Sequence, residues 1–550
     1  MTEEVIAAEK MGEGLKEISI SEFFEKNRHL LGFDNPQKAL ITVVKEAVDN
    51  SLDACEEARI LPDIKVSLKE LNENIMRVIV EDNGPGIMKE HIPNVFGKLL
   101  YGSKFHRLRQ SRGQQGIGIS AAVLYSQLTT GKPINIISRI SPKRPAHEYT
   151  LRIDTLKNAP EVLADAVVED AKFEHGTKIE MEIEGKYIRS KHSPLEYLSQ
   201  CAIMNPFAKI TFKEPDGTKT LYERAVNELP KPPIEIKPHP KGIELGILIR
   251  MLKKTSARGL SGFLSNDFSR VSPASAEEIC KKAKLDPKMK PDDVTRDDAD
   301  RILRAMQAAN LMAPPTNCLS PVGEEAIMAG LKKEIKAEFY AANSRTPTVY
   351  RGYPFQIEAG IAYGGEIPVE GNAKVIRFAN RVPLLYELSA CATTQAVEEV
   401  NWKRYGLDQS GGKGIPKGPV AIVVHMVSVW VPFTSESKEA IASYPEIIDE
   451  IKLAVQECGR QLGRYLSGKR RAAEREGKMR AIEKYAPEIA AALAELTDEK
   501  VSDITKLINN LATKKFHTVN KDLMEDAPGE GEEAAAAEEA PAETEESEEK

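Results

Sequence analysis

Hydrophobic and polar positions follow two rhythms along the chain. Between residues 20 and 60 the apolar side chains Leu40, Val43, Val44, Ala47 and Val48 recur three or four apart, which predicts one long helical stretch. Two-residue alternation replaces it at 64–68 and 76–80, predicting strands, and the second runs into the turn EDNGPGI. A glycine-rich stretch, RSRGQQGIGIS at 109–120, precedes a small-residue helix (AAVLYSQL), and short strands recur around 134–139, 147–153 and 177–183. Strands with helices packed on one side predict an α/β layered domain ending near residue 229.

Residues 228–240 place five prolines in thirteen positions and read as an extended linker. The stretch 241–315 is helical and lysine-rich, and strand and helix signals alternate again from about 316 to 440. They end in the strongest strand pattern of the chain, VAIVVHMVSVWV at 420–431. A long helical pattern starts near Pro445, with Ile447, Ile451, Val455, Cys458, Leu462 and Tyr465 three or four apart. The expected segments are therefore 1–229, 230–315, 316–478, a helical 479–524, and 525–550, a low-complexity Ala/Glu/Pro tail that cannot bury a core.

At 550 residues and 41% hydrophobic composition the chain belongs to the soluble, multidomain globular class. Its formal charge of -7 is uneven: the last segment carries twelve carboxylates against Lys550 alone, which leaves the body mildly basic. Six cysteines without a CxxC pair fit neither a zinc site nor a disulfide framework, and suit a reducing cytoplasm. The N-terminus is acidic with no apolar core, and His425 and Ser428 interrupt the longest apolar run, so a cytoplasmic location without membrane is expected.

Four motifs carry candidate chemistry. Glu46, Asn50 and Asp53 are spaced i, i+4 and i+7, within an arc of about 60° on a helix and opposite its apolar side. Asp82 ends a strand in Asp82-Asn83-Gly84-Pro85-Gly86, where a carboxylate can accept from an exocyclic amine while Gly84 and Gly86 let a flat base approach the backbone. Arg112, Gly113, Gln114, Gln115, Gly116, Ile117 and Gly118 lead into a helix, where free N–H groups suit phosphate. His175-Gly176-Thr177 opens a strand. Singly, each also fits a plainer role: a solvated helix face, a hairpin turn, a plain loop. Neither a Walker A sequence nor a Rossmann GxGxxG after a strand is present.

Their order and spacing together resemble the GHKL superfamily of ATP-binding domains (gyrase-type topoisomerases, MutL proteins, the ninety-kilodalton chaperones, histidine kinases). The resemblance implies ATP and Mg²⁺ as ligands and a Bergerat-type α/β sandwich. It implies Glu46 as general base, Asn50 as a Mg²⁺ ligand, Asp82 reading adenine with support from the Thr177 hydroxyl, Gly113 to Gly118 as a lid with Arg112 beside it among the nucleotide-binding residues, and Ser103 and Lys104 near the phosphates. Asp53 reads as a brace that holds the helix and loop together. In gyrase-like proteins a transducer domain returns a lysine to the γ-phosphate; Lys438, in VPFTSESKEAI, fits that role, with Lys413 and Lys417 as competitors.

The stretch RGLSGFLSNDFSRVSPASAEEICKKAKL resembles a helix–two-turns–helix module. With EAVDNSLDA, YGSKF and SVWVPFTSESKEA it makes the chain similar to the ATPase subunits of type IIB DNA topoisomerases over about residues 15–520. That family implies an α+β multidomain chain: a GHKL domain with an N-terminal arm, a helical insertion, a transducer with a long helix, and a C-terminal helical segment that meets the cleavage subunit. It also implies ATP-driven self-dimerisation, an A2B2 assembly with a tyrosine-bearing cleavage subunit, and passage of one duplex through a double-strand break in another. Non-specific DNA contact is expected at Lys469, Arg470 and Arg471, where Gly468 should interrupt the long helix, and at Trp402, Lys403 and Tyr405. The alternative is a MutL-like or chaperone-like clamp that lacks strand passage.

Overall fold

The Ser19 hydroxyl accepts the Glu22 N–H at 3.1 Å and starts a short helix, α1 (Ile20–Lys26). The helical rhythm does not continue unbroken: Asn27 ends α1, a 3₁₀ turn follows, and a new helix begins at α2 (Pro36–Glu57). Asn35 caps α2 through the Lys38 N–H at 2.8 Å and Pro36 takes the first helical position, so local capping overrides the continuous apolar periodicity. The computed structural model describes residues 18–104, 107–113, 116–169, 171–435, 437–497 and 499–512. Gln114, Gln115, most of the N-terminal arm, the end of the C-terminal helical segment and the acidic tail lie outside the described residues.

The first sheet runs through β1 (Asp63–Asn72), β2 (Ile75–Asp82), β3 (Ile134–Arg139), β4 (Ala146–Asp154), β5 (Ala159–Val168), β6 (Gly176–Glu184), β7 (Lys209–Lys213) and β8 (Lys219–Tyr222), in the spatial order β5-β4-β3-β6-β2-β1-β7-β8. Its pairs are antiparallel except β1 with β7. Inward side chains Val66, Val78, Val80, Ile136 and Met181 pack against α2, α3 (Ile92–Gly97), α4 (Gly118–Thr130) and α5 (Pro194–Met204). Leu40, Val43, Val44 and Val48 are fully buried, each contributing about 1.5–3 kcal/mol, so packing fixes the rotation of α2.

Helices α6 (Leu245–Lys254), α7 (Leu260–Asp267), α8 (Pro273–Ala283) and α9 (Arg296–Gln307) then form a small core of their own around Leu248, Phe263, Ile279 and Ile302. After α10 (Glu324–Glu334) comes the second sheet: β9 (Phe339–Ser344), β10 (Thr348–Tyr350), β11 (Tyr353–Tyr363), β12 (Lys374–Ala379), β13 (Val382–Pro383) and β14 (Val420–Ser428). Its order is β10-β11-β14-β12-β13, with β9 on β11 and β12 parallel to β14. Every residue of β14 is buried, which explains its unbroken apolar run. α11 (Ala392–Glu399) precedes β14, and α12 (Pro445–Thr497) follows the loop that carries Lys438.

Gly468 does not interrupt α12, because one exposed glycine costs about 1 kcal/mol while the helix runs for 53 residues. The chain divides into two units, residues 1–463 and 464–550. In the second, α12 continues through Pro487, residues 501–512 are helical, and Leu496, Leu507 and Leu511 are exposed. No helix among the described residues is long and apolar enough to cross a membrane.

Candidate active site

Helix α2 supplies one wall of the site and the end of β2 its floor. Asp82, buried at the strand end, accepts from the Ser51 hydroxyl at 2.8 Å, the Gly84 N–H at 2.8 Å and the Thr177 N–H at 3.2 Å. Burial pushes its carboxyl above the ordinary range, and those three donors pull it partly back. Thr177 thus braces Asp82 through its main chain, whereas its hydroxyl pairs with the Ser138 hydroxyl at 3.2 Å. A cleft of about 680 Å³ opens above this floor, lined among others by Asn50, Asp82, Gly86, Ser103, Lys104, Gly113, Gly116 and Thr177. Apolar Ile87, Met88, Val95, Phe96 and Ile179 line it too, so it offers a flat apolar slot with a polar end.

Glu46 lies elsewhere. It shares a smaller cavity of about 50 Å³ with Lys45, Gly118, Tyr386, Ser437 and Lys438. A methyl group built on Gly118 would stand 1.7 Å from Glu46 Oε2, so that carboxylate is pressed against the first residue of α4. Lys438 arrives from the second sheet's side in a left-handed conformation (φ 56°), and its Nζ donates to the Arg112 carbonyl at 3.1 Å. Burial holds the Lys438 pKa below its ordinary value despite the nearby Glu46. Its loop is gripped on both sides: Lys45 Nζ donates to the Ser437 carbonyl at 3.3 Å, and Lys38 pairs with Glu439 at 2.7 Å. Lys413 and Lys417 are exposed and line neither cavity.

Two basic side chains of the expected nucleotide site are engaged with carboxylates. Lys104 Nζ lies 2.7 Å from Asp53 Oδ2 at the cleft edge. The Arg112 guanidinium faces away from the cleft, into ion pairs with Asp53 at 2.8 Å and with Glu56, and it donates to Asn205 at 2.5 Å. Burial disfavours the Asp53 charge, but Lys104 and Arg112 overrule it and hold the carboxyl well below the usual range. Asp53 therefore ties helix α2 to the loops that carry Lys104 and Arg112. The Arg112 side chain is thus a buried ion-pair member at the start of the glycine-rich loop.

The aromatic half of the expected DNA patch also moves. Trp402 is fully buried and its Nε1 donates to the Val397 carbonyl at 2.8 Å. Tyr405 packs edge-on against it and over Gly459 of α12, where a Cβ would meet its ring at 2.7 Å. Lys403 is exposed, as are Lys469, Arg470 and Arg471. Sequence reasoning missed Ser51, Lys38, Lys45, Glu56 and Arg381. Ser51 follows Asn50 by one residue and turns toward the strand end, a signal that only the position of β2 makes readable.

Residues 35–184 match the histidine kinase-, DNA gyrase B- and HSP90-like ATPase family, and residues 314–478 match the topoisomerase VI B subunit transducer. Fold and site define a nucleotide-binding ATPase of the GHKL class. The type 2 DNA topoisomerase 6 B subunit of Methanococcoides burtonii is 51% identical over 522 residues, spanning 94% of this chain and 84% of that protein. That of Archaeoglobus fulgidus is 50% identical over 494 residues (90% and 81%), and that of Pyrococcus horikoshii 40% over 554 residues (92% and 96%). The chain belongs to the family of DNA topoisomerase 6 B subunits. It is the ATP-driven subunit of a type II, type IIB DNA topoisomerase, and nothing among these relatives supports the clamp without strand passage.

Proposed function

We propose that the cleft binds Mg²⁺-ATP with its base on Asp82 and its phosphates beneath Gly113–Gly118, and that Glu46 and Lys438 carry out hydrolysis. The observation that carries this reading is the small cavity shared by Glu46 and Lys438, the one from α2 and the other from the transducer loop. Phosphoanhydride cleavage asks little covalent work of a protein: an oriented water, and positive charge where negative charge develops. Glu46 orients and deprotonates the water; the Lys438 ammonium leaves the Arg112 carbonyl for the γ-phosphate; Ser103 and Lys104 meet the other phosphates once Lys104 exchanges its Asp53 partner.

Among the described residues no three His, Cys, Asp or Glu side chains cluster around a metal position. Asn50, whose side-chain amide oxygen lies beside Gly113, borders the cleft. That donor fits Mg²⁺, a hard ion that binds through one or two protein oxygens and takes the rest from phosphate and water. When bound it would neutralise phosphate charge; Asn50 would hold it.

The family role extends the proposal to partners. Two copies dimerise through their ATP-binding domains and join a tyrosine-bearing cleavage subunit as A2B2, and duplex DNA is held without sequence preference by Lys469, Arg470, Arg471 and Lys403. The test is relaxation of supercoiled plasmid by this chain with and without a cleavage subunit, with ATP present or omitted. Relaxation only when both are supplied is expected; relaxation without ATP would overturn the reading. Glu46→Ala should keep affinity for a non-hydrolysable analogue and lose phosphate release.

A further inference from the structure

Three consecutive residues at the root of the lid are bonded to the transducer. Gln110 exchanges two hydrogen bonds with the Ser320 main chain, at 3.0 and 2.7 Å. The Ser111 carbonyl accepts from Asn380 Nδ2 at 3.2 Å, and the Arg112 carbonyl accepts from Lys438. Beneath them lies a chain of buried charge. Glu56, near the end of α2, divides its carboxylate between Arg112 and Arg381, the latter at 2.5 Å. Arg381 Nη2 also donates to the Ser320 carbonyl at 2.8 Å and to its hydroxyl at 2.6 Å. The Arg381 main-chain N–H donates to His425 Nε2 at 2.9 Å, which leaves the proton on Nδ1, and Nδ1 donates to Glu358 at 2.9 Å. Glu358 in turn accepts the Val322 and Gly323 N–H groups that open α10.

Both arginine side chains are only 3% exposed, so the pairing runs in low dielectric and either partner alone would be a buried, uncompensated charge. Asn380 and Arg381 form the two-residue turn of the β12–β13 hairpin, with φ at 47° and 68°, both positive as that tight turn requires. The turn thereby brings one guanidinium across to Glu56 of α2. From this geometry we infer that Arg381, acting through Glu56, is a positioning residue for ATP hydrolysis: it sets the root of the lid, by a route parallel to Lys438. The inference rests on the reading of residues 113–118 as the nucleotide lid.

Arg381→Met and Glu56→Gln are measured for melting temperature, analogue affinity, kcat and KM for ATP per titrated active site, and hydrogen exchange at residues 110–113. The expected result is analogue affinity within about threefold of the parent, kcat lowered at least about tenfold with KM little changed, and exchange at 110–113 at least about tenfold faster. Arg381→Lys, which keeps the charge and loses the fork, should recover part of the kcat; it also carries the test if Arg381→Met fails to fold. A merely structural role would lower the melting temperature while kcat per folded site and exchange at 110–113 stayed at parental values, and that result overturns the inference. Glu46→Ala is run alongside: normal turnover there would overturn the proposed site of hydrolysis and this inference with it, whereas an inactive Glu46→Ala beside an unaffected Arg381→Met would overturn the inference alone.

Discussion

The Lys438 ammonium donates to the Arg112 carbonyl at 3.1 Å, so a transducer side chain touches the start of the glycine-rich loop proposed as the nucleotide lid. Its buried surroundings leave that charge short of solvent, which makes a phosphate oxygen a stronger partner there than in water. Lys438→Ala is expected to lower turnover by about 10²–10³, the usual cost of removing one donor to developing charge, with analogue affinity changed only a few-fold. Steady-state kinetics beside analogue titration checks it. Unchanged turnover would hand the role to Lys413 or Lys417.

Gly118 tests the placement of Glu46 from the opposite side. Its missing side chain is what lets the Glu46 carboxylate lie against α4, since a Cβ would stand 1.7 Å from Oε2. The carboxylate is the free end of a flexible side chain, so Gly118→Ala should rotate it away at small cost in stability. A displacement on the scale of 1 Å is worth about 10²-fold in rate. The expected phenotype is a kcat lowered by one to two orders of magnitude (about 10²-fold at most), with melting temperature and KM near those of the parent. A parental kcat would show that this contact does not position the base.

How far the chain could be read in advance depended on how local each signal was. The apolar arc of α2, the carboxylate closing β2 and the glycines before α4 are neighbours in sequence, and the structure places Asn50, Asp82 and Gly113 on one cleft. Lys438 was located by family resemblance alone, since nothing in its own segment names its destination. Arg381 and Glu56 are 325 residues apart, and a lone Asn-Arg turn between two short strands carries no hint of the ion pair. β5 was missed because APEVLADAVV shows no two-residue alternation, and much of this edge strand is exposed rather than half-buried. Trp402 misled for the converse reason: an aromatic beside Lys and Arg spells a DNA contact, yet tertiary packing took the ring inward.

Asp49 gives the first sheet's domain a pH signature. Its carboxyl accepts from the Tyr197 hydroxyl at 2.7 Å in a fully desolvated position, and burial pushes its pKa up to about 6 from 3.8. Between those values the folded chain holds a proton that the unfolded chain has released. The contribution of Asp49 to stability is therefore greatest below about pH 4, falls as the pH rises to about 6, and is level beyond; the span corresponds to about 3 kcal/mol. Asp49→Asn keeps an acceptor for Tyr197 and has no charge to bury. Denaturant midpoints should show the variant matching its parent at pH 4 and exceeding it at pH 7.5. A pH-independent difference between the two would mean that Asp49 ionises freely in the fold.

The basic residues of α12 and the Trp402 turn make opposite predictions, which separates charge from packing. Lys469, Arg470 and Arg471 are exposed, and Arg470 is 3.9 Å from Glu474, a pairing too loose and solvated to compete with a phosphate. Removing one phosphate interaction should reduce the slope of log affinity against log salt by about 0.9. Charge reversal at all three should thus weaken duplex binding steeply at low salt and little at high salt, with the melting temperature unchanged. Lys403→Glu should act likewise on a smaller scale. Trp402→Ala removes a fully buried indole and its hydrogen bond to Val397, so it should cost about 3–5 kcal/mol of stability while the protein that remains folded binds DNA as before. If instead Trp402→Ala melts normally and loses DNA affinity, the indole leaves its pocket to meet the duplex, and Trp402 rather than Lys403 is the contact.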